Sequence, residues 1–385
     1  MKLSVIIVNY NVSPFLELCL QSVEEAISEL DSEIIVVDNN SSDDSCEMVN
    51  TKFPNVHLIP NDKNLGFSKA NNQGVAKARG QYVLILNPDT VVQKDTFTKI
   101  LNFAKSRQNF GALGVKLIDG KGRFLSESKR GIPTPLVSFY KLIGFTSRRT
   151  GKYYANHLKE NETGVVDILV GAFMLMKRKV YNEVNGFDES YFMYGEDIDL
   201  SYKILNKGYQ NYYFSDTQVI HFKGESTIKD VSSLRHFHEA MEIFYKEHFR
   251  INKLYDFVMK FGIKLWYLMK FFGLKKKSKK EILPDTIVYF GEDKNVFEKL
   301  KMTLKEVKFY QFSKTKKLDK FKDFITKNEI KEVVFDNTNL TYKDIISNII
   351  SLRDFDITYK IRPKKSKFIL GSNSSVSRGQ VIKFD

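Results

Sequence analysis

KLSVIIVNYN, residues 2–11, is a short β-branched run that ends in polar residues, and it reads as a buried strand. Ser13 and Pro14 follow as N-cap and first helical residue, and Leu16, Leu20, Val23 and Ile27 recur at helical spacing. SEIIVVDNNSSDDS (32–45) is a second strand closing at Asp38, and VHLIPN (56–61) a third. A Gly-containing turn, a helix from about Ser68 to Arg79 stopped by Gly80, and a strand ending at Asn87-Pro88-Asp89 complete the pattern. Strand alternates with helix, so the first part of the chain is predicted to be an open α/β sheet.

In such sheets ligands sit beyond the carboxyl ends of the strands, where this chain collects Asn9, Asn11, Asp38, Asn40 and the 87–89 run. Asp38 has two readings: acceptor for the N3–H of a uracil or thymine ring, or an ordinary turn-former. Asp89 likewise either ligates a divalent ion bridging two phosphates or only shapes a turn. Gly66 either lets the backbone approach a nucleotide or supplies a positive φ. The chain has neither Gly-x-Gly-x-x-Gly nor a Walker pattern, which argues against a dinucleotide or ATP site.

VVDILVGAFMLMK (165–177) is an apolar strand broken at Gly171-Ala172, small residues that leave room for a ligand or a neighbouring backbone. FDESYFMYGEDIDLSYKI (187–204) then sets five carboxylates among aromatic side chains. A helix beginning near Glu196 buries Leu200 and Ile204 and leaves Asp199 and Lys203 as an exposed i,i+4 pair. Glu196 and Asp197 fall in its first turn, either favouring the helix dipole or serving as general base.

LSVIIVNYN, IIVVDNNSSDDS, NLGFSKANNQG, YVLILNPDT, VGAFMLMKR, GFDESYFMYGEDIDL and VIHFKGEST, in that order and spacing across about residues 1–230, resemble the GT-A fold family 2 glycosyltransferases, closest to the rhamnosyltransferase-like branch. The resemblance implies a Rossmann-like nucleotide-sugar domain in which Asp38 reads the base and Asn87-Pro88-Asp89 stands for the family's Asp-x-Asp motif. Asn87 departs from that motif, and Asp89 keeps the metal ligand. Asn9, Asn11, Asn40, Gly66, Asn72 and Asn87 are expected on the nucleotide-sugar side. His221 matches a histidine that approaches the metal and diphosphate. Glu196 and Asp197 match the family's Glu-Asp pair, with Asp197 as base and Glu196 in support. Tyr191 and Tyr194 have two readings of their own, rings that stack on a sugar face or core residues beside a helix start, and with Gly171 they are expected at the acceptor. The reaction this resemblance implies is an inverting transfer of a rhamnose-like or other hexose from a dTDP- or UDP-linked donor, with Mg²⁺ or Mn²⁺, to a lipid-linked or surface-polysaccharide acceptor.

Charge distribution separates the remaining classes. The formal net charge of +14 is concentrated in LYDFVMKFGIKLWYLMKFFGLKKKSKK (254–280), whose lysines interrupt every uncharged run long enough to span a bilayer. Read as a helix, it has a broad apolar face and a narrow basic one, which fits an anionic membrane surface; a core helix between domains is the other reading. No nucleic-acid module is recognisable, so nucleic acid is not expected as a partner. Two cysteines and no leader before Leu3 fit the cytoplasm, with peripheral attachment at the inner face of the cytoplasmic membrane. After Pro284, strands near 286–290, 307–312, 331–335 and 357–361 and two further strands in 367–384 indicate a small C-terminal α/β domain. It weakly resembles Rossmann-like modules attached to some bacterial polyprenyl-phosphate sugar enzymes, without a phosphate fingerprint at Gly291-Glu292-Asp293. The expected organisation is therefore 1–250 glycosyltransferase domain, 251–282 basic amphipathic helical linker, and 283–385 small Rossmann-like domain. A sugar nucleotidyltransferase, which needs a Gly-rich triphosphate loop absent from NYNVSPFLE, and a non-catalytic binding protein are the alternatives.

Overall fold

The computed structural model describes residues 1–134, 154–225, 231–249, 284–313, 318–372 and 379–384. The amphipathic segment 254–280 lies outside them. Among the described residues no helix is long and apolar enough to cross a membrane.

β1 (Leu3–Asn9), α1 (Ser13–Ile27), β2 (Ser32–Asp38), α2 (Ser45–Lys52), β3 (His57–Pro60), α3 (Phe67–Lys77) and β4 (Tyr82–Leu86) realise the alternation read from the sequence. β1 pairs in parallel with both β2 and β4, and Val5, Ile6 and Ile7 have no exposed surface, as a strand covered on both faces requires. Ser13 lies one residue inside α1 rather than capping it, and its N–H donates to Asp43 Oδ2 at 2.9 Å.

β5 (Thr90–Val91), α4 (Thr96–Lys105), β6 (Phe110–Ile118), β7 (Gly164–Val166), β8 (Phe173–Lys177), α5 (Arg178–Glu183), α6 (Glu196–Asn206), β9 (Gln210–His221) and α7 (Val231–His248) complete the first unit. Its nine-stranded sheet runs β3-β2-β1-β4-β8-β6-β9-β5, with β7 beside β9. β8 enters antiparallel between β4 and β6, which brings the Gly171-Ala172 break alongside the carboxyl end of β4. That placement builds the site.

β10 (Thr286–Phe290), α8 (Lys294–Thr303), β11 (Lys308–Phe312), α9 (Leu318–Lys327), β12 (Glu332–Asp336), α10 (Tyr342–Ser351), β13 (Thr358–Arg362), β14 (Phe368–Gly371) and β15 (Gln380–Lys383) form a second sheet in the order β11-β10-β12-β13-β14-β15. Its crevice, beyond β10 and β12, is filled from within. The Arg362 guanidinium donates to both Asp336 oxygens at 3.1 and 3.0 Å, the Thr338 N–H to Oδ1 at 2.9 Å, and the Tyr289 hydroxyl to Oδ2. Asp293 accepts the Asn295 and Val296 N–H groups and caps α8. The position where a phosphate would bind in a nucleotide module thus carries a satisfied structural network.

The two sheets share one apolar cluster. Val12, Phe15, Leu18, Val91, Ile118, Ile220 and Phe222 from the first unit pack with Phe321, Tyr342, Ile349 and Leu370 from the second. Polar ties flank the cluster: Ser366 Oγ donates to Glu17 Oε1 at 2.5 Å, the Tyr342 hydroxyl to Gln21 at 3.2 Å, and Lys343 pairs with Asp95 at 2.7 Å.

Candidate active site

Asp38, at the end of β2, is buried and already holds three protein donors. Asn9 Nδ2 and Ser41 Oγ donate to Oδ1 at 2.7 Å each, and the Ser41 N–H to Oδ2 at 2.8 Å. A carboxylate has about four lone-pair sites, so one remains on Oδ2, and burial and then the Asp38 charge push the Cys46 thiol up to about 11. Asn9 has no exposed surface and spends its amide N–H groups on Asp38 and on Ser41 Oγ at 3.1 Å, so it supports Asp38 where a contact to the nucleotide sugar was expected, and its Oδ1 is buried without a hydrogen-bond partner among the described residues. Asn11 takes a left-handed conformation and ties the two loops, its Oδ1 accepting from the Ser42 N–H at 2.7 Å. Asn40, also left-handed, is exposed at the tip. Its neighbour Asn39, which carries no motif signal in the sequence, is buried and donates to the Gly66 carbonyl at 3.1 Å.

Gly66 has φ +82°, and a Cβ there would lie 2.6 Å from the Phe192 carbonyl oxygen. Its glycine therefore admits the 187–195 loop, with the Phe67 N–H donating to that same carbonyl at 2.8 Å. Asn72 is corrected more sharply. Its amide donates to the Phe187 carbonyl at 2.9 Å and to Glu189, and accepts from the Tyr181 hydroxyl and the Phe187 N–H. Every bond it can make is used in clasping α3 to α5 and the 187–195 loop, which leaves nothing for a nucleotide.

Asn87, Asp89 and His221 do come together. β5 pairs antiparallel with β9, opposing Thr90 to His221, so that Nε2 lies 3.4 Å from Asp89 Oδ1 and 3.4 Å from Asn87 Nδ2. Asp89 is 3% exposed and His221 6%. Asp89 Oδ1, Asn87 Oδ1 and His221 Nδ1 are buried atoms without a hydrogen-bond partner among the described residues. The ring nitrogen that faces Asp89 and Asn87 is Nε2, so a carboxylate oxygen and an amide side chain stand beside an imidazole, a donor set that suits Mg²⁺ or Mn²⁺. A second trio, Asp199, Glu247 and His248, also brings ligand-type atoms within 4.8 Å of one another. There Lys203 Nζ sits 3.0 Å from Asp199 Oδ2 and already supplies the cation.

The acid pair opens α6 as the sequence predicts, after Tyr194 and Gly195, both left-handed. Asp197 Oδ2 accepts from the Arg130 guanidinium at 2.6 Å and from the Gly171 N–H at 3.1 Å. Gly171 thus anchors the carboxylate directly. One residue on, the Ala172 carbonyl accepts the Asn87 N–H at 3.0 Å, so a single turn carries the acid pair on one side and the Asn87-Asp89 run on the other. Burial, reinforced by the charge on Asp197, pushes the Glu196 carboxyl up to about 8, and its Oε2 is buried without a hydrogen-bond partner. Arg130 was invisible to sequence reading: it stands in a loop 67 positions before Asp197, with no periodic pattern to link them.

Two expectations in this region fail because α7 packs over it. Tyr191 is 1% exposed, its hydroxyl donating toward Glu247 at 3.4 Å, so it is a core residue and not an acceptor platform. Asp199, expected at the surface, is 1% exposed and meets His248 at 2.8 Å as well as Lys203. Tyr194 remains half-buried beside the acid pair, its ring edge-on to Phe237. Phe192, unassigned from sequence, is exposed and packs on His236 at 4.9 Å between ring centres.

The family models and curated relatives that match this chain are glycosyltransferases. The description "Glycosyl transferase family 2" matches residues 4–184, and "N-terminal domain of galactosyltransferase" matches 163–236. The chain belongs to glycosyltransferase family 2. It is 31% identical over 258 residues to N-acetylglucosaminyl-diphospho-decaprenol L-rhamnosyltransferase of Mycobacterium tuberculosis, covering 63% of this chain and 83% of that relative. Rhamnosyltransferase WbbL of Escherichia coli is 30% identical over 168 residues, 41% of this chain and 61% of its own. Among solved structures, the mannosyltransferase PcManGT from Pyrobaculum calidifontis, in complex with GDP-Man and Mn²⁺, aligns with a TM-score of 0.46 at 17% identity, covering 72% of this chain and 76% of its own.

Proposed function

We propose that this glycosyltransferase inverts configuration while moving a hexose, rhamnose-like in the first instance, from a UDP- or dTDP-linked donor to a lipid-linked or polysaccharide acceptor. The observation that carries the reading is the Gly171-Ala172 turn, which ties Asp197 and the Asn87-Asp89 run to adjacent peptide groups. Asp38 accepts the pyrimidine N3–H at the lone pair its three protein donors leave open. Asp89, His221 and the Asn87 amide oxygen would hold a divalent cation, whose charge offsets that of the departing diphosphate. Asp197 takes the proton of an acceptor hydroxyl, the oxygen attacks the anomeric carbon, and the bond to the diphosphate breaks on the opposite face. Arg130 holds that carboxylate in place, and Tyr194 and Phe192 offer rings to the acceptor. The rhamnosyl and decaprenol chemistry in the relatives' names supports the choice of sugar and acceptor.

The reading is tested by incubating the protein with UDP-, dTDP- and GDP-sugars, Mn²⁺ and a polyprenyl-diphosphate-linked N-acetylglucosamine. Acceptor-dependent release of UDP or dTDP is expected. Release of pyrophosphate from a nucleoside triphosphate and a sugar phosphate, with no transfer, would instead make it a nucleotidyltransferase.

The lysine-rich run 275–280 supports attachment at the inner face of the cytoplasmic membrane, each lysine near an anionic leaflet being worth about 1 kcal/mol. Changing Lys275, Lys276, Lys277, Lys279 and Lys280 to glutamine should reduce sedimentation with phosphatidylglycerol vesicles at low salt. Equal sedimentation of variant and wild type would remove the electrostatic anchor.

A further inference from the structure

We infer that the C-terminal sheet is a working part of the donor site: through the Gly379 N–H it holds Glu225, and Glu225 positions the turn that carries His221. The inference rests on the donor assignment above for its consequence, though not for its geometry. Just after β9 the backbone passes through Lys223 at φ 63° and Gly224 at φ 89°. Gly224 adopts that region freely, whereas Lys223 bears a side chain and holds it only where surrounding contacts impose it.

The contacts come from three directions. The Phe222 N–H donates to the Asp89 carbonyl at 3.0 Å, Lys223 forms an ion pair with Glu127, and Glu225 accepts the Gly379 N–H on both carboxylate oxygens, at 2.9 and 2.8 Å. Glu225 is 2% exposed, so its charge depends on protein donors, and the C-terminal sheet provides this one. Gly379 has little freedom to change. A Cβ there would lie 2.7 Å from the Gly371 carbonyl oxygen and 2.8 Å from Cζ of Phe15, whose ring stands edge-on to Phe222 at 5.3 Å. The glycine that immediately precedes β15 therefore meets both the carboxylate at the end of the turn and the Phe15 ring that packs on Phe222. With its own crevice filled by Tyr289, Asp336 and Arg362, that sheet's contribution to transfer is made here, on its neighbour's metal-side turn.

The test uses the full chain. Glu225→Gln keeps the shape of the side chain and removes its charge, Gly379→Val inserts the excluded atoms, and Gln21→Ala breaks the ties of α1 to Tyr342 and the Lys364 carbonyl, which join the same two units away from the turn. Hydrogen exchange read by mass spectrometry should quicken about tenfold in residues 219–225 for the first two variants and stay at the wild-type rate there for Gln21→Ala. Affinity for UDP or dTDP in the presence of Mn²⁺, whichever the wild type binds, should fall by about tenfold in the same two variants. If Gly379→Val fails to fold, Glu225→Gln carries the test. Wild-type exchange in Glu225→Gln would overturn the inference, as would faster exchange with nucleotide affinity unchanged. If the wild type binds neither nucleotide, the donor assignment falls, and the exchange measurement by itself upholds or overturns the brace.

Discussion

Asp197→Asn is expected to lower sugar transfer by about 10²–10⁴-fold while nucleotide binding survives, because the substitution removes a proton acceptor and leaves the strand-end contacts of β1, β2 and β4 in place. The amide keeps the shape of the carboxylate, so the Gly171 N–H retains an acceptor. The Arg130 guanidinium, however, loses the opposite charge it meets at 2.6 Å, and some loss of thermal stability should accompany the loss of rate. Measuring turnover and nucleotide affinity on the same preparation separates the two effects. Turnover near that of the wild type would remove Asp197 from the chemistry. Glu196→Gln is the contrast. Its carboxyl, pushed up to about 8 from an ordinary 4.5, binds its proton more tightly in the folded chain than in the unfolded one. The stability this contributes is present below about pH 4.5 and is lost as pH rises through about 8. The variant lacks that loss, so its melting temperature should gain on the wild type between pH 5 and pH 8.5. Parallel melting curves across that range would contradict the burial argument.

Asp89→Ala should abolish the metal-dependent part of donor binding. Outer-shell partners of metal ligands are alone worth about 10–100-fold in affinity, so loss of a carboxylate ligand should weaken Mn²⁺ binding by about 100-fold or more. The fold should tolerate the change, because Oδ1 accepts no protein hydrogen bond and the Asp89 carbonyl still receives the Phe222 N–H. Calorimetry of Mn²⁺ with UDP or dTDP provides the check, and an unchanged affinity would leave Asp89 a structural residue of the β5 turn.

Local pattern carried the elements further than it carried the side chains. Strands after Pro284 were legible to within a residue because β-branched and aromatic runs between turn residues bound them closely, and α6 begins at Glu196 as its apolar spacing predicts. Destinations were decided elsewhere. Tyr191 and Asp199 look solvent-facing from their own segment, and α7, about 40 residues further on, buries both. Asn72 looks like a loop-facing amide until the 187–195 backbone closes on it. Arg130 meets Asp197 only because β6 and β8 bring their loops to one end of the sheet. The shared core was equally illegible, since a Phe at position 15 and a Tyr at 342 announce burial without naming a partner.

That shared core also sets an order of events as the chain is made. Phe15 leaves the ribosome long before Leu370, and at 5–20 residues per second the interval is roughly 20–70 s. Through it, Phe15 and Leu18 of α1 and Ile220 at the end of β9 have water where their final neighbours will stand. The first unit can form its own sheet in that time, but one apolar face stays open until β14 arrives, and it is during this wait that the nascent protein is most prone to stick to another copy of itself.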